Sequence, residues 1–146
     1  MSTPDTSVLS TAVQVPPLAG VHHVGITVRD LEASEAWYGQ VLGLQRAFTE
    51  THEGCHAVVM SRPGSPLLVG LYHHDANDGT RFAEHRTGMD HVCIAVPERS
   101  DLDRWAEHFD RLGVEHSPIA DVQDPFPFAL IVFRDPDNVQ LEVIWS

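Results

Sequence analysis

No apolar run in this chain approaches the ~20 residues needed for a helix to cross a bilayer, so a membrane-spanning helix is not expected. Basic side chains are scarce: nine Lys and Arg stand against 21 Asp and Glu, a formal net charge of −12. They are scattered rather than gathered into a patch, so nucleic acid and anionic membrane surfaces are not expected partners and a small molecule is. The acidic excess is read as a solubility feature. Only two cysteines occur, Cys55 and Cys93, with no recognisable spacing. A disulfide framework is therefore not expected, and a reducing cytoplasm is the expected location. The opening residues are rich in Ser, Thr and Pro but lack a basic start and a continuous apolar core, so residues 1–19 read as a flexible leader rather than a secretion signal.

What the chain does have is an internal repeat. His23-Val24-Gly25-Ile26-Thr27-Val28 returns about seventy residues later as His91-Val92-Cys93-Ile94-Ala95-Val96. Each copy continues in the same order. A strand over 21–29 leads to a helix that Asp30 caps and Gly43 ends, with Leu31, Trp37, Tyr38, Val41 and Leu42 on its apolar side. In the second copy, a strand over 90–96 leads to a helix that Ser100 caps with Asp103 as its capping-box partner, and Gly113 closes it. Short β-rich runs follow each helix, over 44–49, 56–61 and 67–73 in the first copy and 114–119, 128–134 and 139–145 in the second. Each unit thus reads as strand, helix and three strands. Unit one spans about 20–75, a linker about 76–88 and unit two about 89–146, together one α+β domain over 20–146.

Side-chain parity sorts the chemistry. Successive strand residues point to opposite faces, so Val24, Ile26 and Val28 pack beneath a helix while His23, Gly25 and Thr27 face the other way. The second copy repeats this with Val92, Ile94 and Val96 against His91, Cys93 and Ala95. In the last strand Leu141 and Val143 go to the helix side, which leaves Glu142 with the histidines. Two imidazoles and one carboxylate on one surface suit a divalent metal with open positions, so His23, His91 and Glu142 are the candidate metal ligands. His56, opening a strand that would line the same surface, is the acid/base candidate. Phe126 and Phe128 read equally as an apolar rim or as packing, and Trp37 and Trp105 as core.

The ordered set formed by 23–31, Trp37-Tyr38, 41–44, 91–96 and 135–142 resembles the vicinal oxygen chelate superfamily, the group of glyoxalases, fosfomycin and bleomycin resistance proteins and extradiol dioxygenases. The resemblance covers nearly everything from residue 20 onward. It implies tandem βαβββ modules forming a cupped mixed sheet around a metal, with metal positions on the first and fourth strand of each module. His23, His91 and Glu142 match three of those four positions. The fourth falls at about Gly70, where there is no ligand.

The resemblance further implies a metal-dependent enzyme acting on a small molecule with neighbouring oxygen atoms, dioxygenase-like or lyase/isomerase-like. Iron(II) is the first-choice ion, with manganese, nickel and zinc as others. Two alternatives stay open: a drug- or metabolite-binding protein like those conferring bleomycin resistance, and a metal-dependent thiol transferase. A homodimer is expected, with each site formed within one chain or across two.

Overall fold

Local signals start and stop the elements. Asp30 in extended conformation accepts a hydrogen bond from the Ala33 N–H at 3.0 Å and so begins helix α1 (Leu31–Leu42), which Gly43 ends at φ 69°. The cap of helix α2 (Arg99–Leu112) lies two residues before the expected Ser100. Glu98 holds that place, and the Asp101 carboxylate reaches back to its N–H at 3.0 Å. Ser100 therefore lies inside the first turn, and Asp101 rather than Asp103 completes the box. The remaining elements are β1 (Val24–Thr27), β2 (Gln45–His52), β3 (Cys55–Ser61), β4 (Leu68–His74), β5 (His91–Ala95), β6 (Ala120–Val122), β7 (Phe128–Arg134) and β8 (Gln140–Trp145).

The computed structural model describes residues 15–146. Most of the expected leader lies outside the described residues, and 15–23 carry no helix or strand. Strand β6 falls wholly outside its expected run. Pro118 has no N–H to contribute to a ladder, so 114–119 makes only an isolated bridge, His116 to Phe133, before pairing resumes at Ala120.

The strands form two four-stranded mixed sheets, β1-β4-β3-β2 and β5-β8-β7-β6, each with one parallel pair between its first and fourth strand. This is the α+β, paired-βαβββ architecture expected from the repeat. The helix-side residues of both sheets enter one continuous core: Ile26, Leu71, Ile131 and Val143 share it with Tyr38 and Phe109 from the helices. Trp37 of α1 stacks on Phe133 of β7, and Phe109 of α2 lies 4.5 Å from the same ring. The two histidine-bearing faces are consequently the ones left outside that core.

Candidate metal centre

The two modules are in matching register. In the second, Cys93 of β5 pairs with Glu142 of β8; in the first, Gly25 of β1 pairs with Gly70 of β4. Glu142 and Gly70 therefore occupy equivalent places, each opposite the residue two positions after the module's histidine. Because side chains alternate along a strand, His91, Cys93, Glu142, Val132 and Leu130 share one face of the second sheet.

On that face His91 and Glu142 meet. His91 Nε2 lies 3.7 Å from Glu142 Oε2, and the carboxylate is largely buried. Each group is held by its other polar atom. His91 Nδ1 lies 2.7 Å from Asp90 Oδ1, and since a carboxylate only accepts, the ring donates there and Nε2 carries the lone pair. Glu142 Oε1 accepts from the Gln140 side-chain amide at 3.1 Å, which frees Oε2. Two acceptors thus face each other. That arrangement calls for a proton or a cation between them, and an ion bound ~2.1 Å from each ligand is able to span the gap. Without an ion, the Asp90 hydrogen bond and the Glu142 charge raise His91 above the ordinary histidine range despite partial desolvation. Cys93 is pushed up to about 12, first by desolvation of its sulfur and then by Glu142. Its thiol stays protonated and lines the face.

Glu142 is supported by residues that parity alone did not single out. Glu84, in the segment between the modules, takes both ends of the Arg134 guanidinium at 2.9 and 2.8 Å, and Arg134 donates to Gln140 Oε1 at 3.1 Å. The line Glu84–Arg134–Gln140–Glu142 fixes the carboxylate from behind. A linker glutamate gives no periodic signal, so the only hint was the parity that Gln140 and Arg134 share with Glu142.

His23 stands apart. It is exposed, its Nδ1 lies 2.9 Å from His22 Nδ1, and no group of three metal-binding side chains assembles among the described residues of one chain. His56 turns away from the histidine face. It pairs with His73, three register steps from the Val59–Gly70 pair, and an odd offset puts it on the helix side, in a groove beside Glu32, Glu35 and Arg46. That placement corrects its expected acid/base position. Phe128 does share the face of Glu142, and its ring lies 5.6 Å from that of exposed Phe126. His73 is occupied with the Val28 carbonyl at 3.0 Å, and His108 with that of Val41 at 2.8 Å.

A family model described as the Glyoxalase/Bleomycin resistance protein/Dioxygenase superfamily matches residues 20–143. The Bacillus subtilis (strain 168) protein YwkD is 28% identical over 130 residues, covering 86% of this chain and 96% of that one. A glyoxylase/bleomycin resistance protein/dioxygenase domain from Frankia sp. EAN1pec is 32% identical with a TM-score of 0.80, over 89% of this chain and 99% of that one. The fosfomycin resistance protein FosX from Listeria monocytogenes, solved with Mn(II) and sulfate, shares the fold at 17% identity and a TM-score of 0.62, over 89% of this chain and 94% of that one.

Proposed function

Because the chain belongs to the glyoxalase/bleomycin resistance protein/dioxygenase superfamily, we propose that it is a divalent-metal-dependent enzyme acting on a small molecule with neighbouring oxygen atoms. One observation carries this reading: His91 Nε2 and Glu142 Oε2 confront each other at 3.7 Å while their remaining polar atoms are tied to Asp90 and Gln140. Neutral imidazole and carboxylate are donors for iron(II), manganese(II), nickel(II) and zinc(II), and iron(II) is our first choice. When bound, such an ion supplies Lewis acidity to two substrate oxygens and, as iron(II), redox capacity toward dioxygen. The chain's own residues do the rest. Asp90 and Gln140 orient the two donors, and Phe128, Leu130 and Val132 form an apolar wall beside them that suits a substrate with an apolar body.

The third ligand, His23, comes from a second copy of the chain in this reading. Within one chain the helix sides of both sheets are spent on a common core, and among the described residues His23 joins no metal-binding group with His91 and Glu142. A symmetric homodimer brings the first sheet of each copy against the second sheet of the other and makes two equivalent sites. A binding protein without chemistry has no need of a carboxylate held against an imidazole by two further side chains, and so is the weaker reading.

The test is metal affinity by calorimetry, with elemental analysis of protein purified without chelator. His91→Ala and Glu142→Gln each lose at least ~10-fold in affinity for manganese(II) or zinc(II), with unchanged circular dichroism. Equal metal binding in wild type and both variants sinks the proposal.

A further inference from the structure

The fourth corner of the cup is filled by a side chain from two residues away. Gly70 occupies the place equivalent to Glu142, yet the space above it is not open. A Cβ built at Gly70 would fall 2.5 Å from Tyr72 Cε2 and 3.1 Å from the Tyr72 hydroxyl, and one at Gly25 would fall 3.3 Å from the same Cε2. Tyr72 shares the parity of Gly70 on β4, so its ring lies back along the strand over two glycines, one from each of the parallel strands β1 and β4. The absence of side chains at both positions is what makes room for the ring. Its oxygen reaches the zone that the carboxylate of a glutamate at 70 would occupy.

We infer that Tyr72 supplies the oxygen donor at this fourth position, standing to His23 as Glu142 stands to His91. The inference rests on the metal reading of the same site. The donor set becomes two imidazoles, one carboxylate and one phenol, with the phenol giving its proton to water as the oxygen–metal bond forms. A phenolate is a hard donor that favours ferric iron strongly over zinc, so this corner would bias the site toward iron chemistry.

The chain has two tyrosines, and the other, Tyr38, is buried in the core with its hydroxyl bonded to Asp135. Optical spectroscopy therefore addresses Tyr72 without ambiguity. Purified full-length protein is loaded with iron(II), oxidised with ferricyanide as the one-electron acceptor, desalted and assayed for iron. The wild type is expected to show the visible charge-transfer band of tyrosinate bound to iron(III). Tyr72→Phe keeps the iron and loses the band. Gly70→Ala keeps the tyrosine but pushes its ring aside, so the band weakens or shifts with the fold intact by circular dichroism. Iron bound without a band in the wild type, or a band that survives Tyr72→Phe, overturns the role of Tyr72 and leaves the metal reading standing. Failure of the wild type to bind iron, manganese or zinc overturns both.

Discussion

Asp90 governs which nitrogen of His91 is available and how tightly that nitrogen holds a proton. Its hydrogen bond is the largest influence on the ring, ahead of the desolvation that opposes it and the charge of Glu142. A histidine raised in the folded state stabilises the metal-free protein below the ordinary histidine value of ~6.5, and this contribution is lost as pH rises through the higher folded value. The ring is 39% exposed, so the gain in stability is small. The useful prediction is spectroscopic. In metal-free protein the His91 ring signals followed by NMR titrate above the ordinary range, and Asp90→Asn moves the midpoint down; an unmoved midpoint means the Asp90 contact does not govern the ring. At this scale His91 was legible, because strand alternation alone put it on the face of Cys93 and Glu142, opposite Val92 and Ile94, whereas His23 precedes β1 and stands exposed beside His22. Tyr72 was not. A glycine at position 70 reads as a missing ligand, and nothing in the order of residues says that a neighbour's ring leans into the gap.

The elements show where pattern yields to local chemistry. Periodicity found both helices and the glycines that end them, since Gly43 and Gly113 take left-handed conformations at φ 69° and 68°. It misplaced the start of α2 because Asp101 reaches back to the Glu98 N–H, and a capping box of acidic residues is hard to distinguish among Glu98, Ser100, Asp101 and Asp103. The segment between the modules was read as a connector from its polar composition, and Glu84 shows that it does more. By clamping Arg134 it holds Gln140 and hence Glu142. Glu84 is itself drawn down to about 2 by that guanidinium, so the pair stays ionised through the range in which the protein would be assayed. Glu84→Gln removes the clamp without touching the donors. The expected result is a loss of about 10-fold in affinity for manganese(II) by calorimetry, the range seen when groups behind metal ligands are removed, with little change in thermal midpoint. Unaltered affinity would show that Arg134 needs no such support.

Across the whole molecule, the two modules are joined by a buried polar lock that looks in sequence like an ordinary turn. Asp135 accepts from the Tyr38 hydroxyl at 2.7 Å and from the Asp137 and Val139 N–H groups at 2.8 Å each, while Asp137 receives Arg29 at 2.7 Å. Burial raises Asp135 above the usual aspartate range even against these hydrogen bonds. Asp135→Ala leaves three buried donors without partners and is expected to cost about 3–5 kcal/mol in urea unfolding. Asp135→Asn, which keeps an acceptor and removes the buried charge, should cost clearly less, and equal losses would argue against the charge as a burden. This lock, with Trp37 on Phe133, holds the modules by their helix sides, and in our proposal a second copy of the chain covers the histidine faces. The consequence is measurable by complementation. His23→Ala and Glu142→Gln homodimers each lack a ligand at every site. In a mixed dimer one site loses both ligands and the other regains all of its own. Random exchange makes half the dimers mixed, so about a quarter of the sites recover metal binding when the two variants are unfolded and refolded together in equal amounts. Variants refolded separately and then mixed on ice recover none until subunits exchange. No recovery after co-refolding, with a dimer confirmed by sedimentation, would place all the ligands of each site within a single chain.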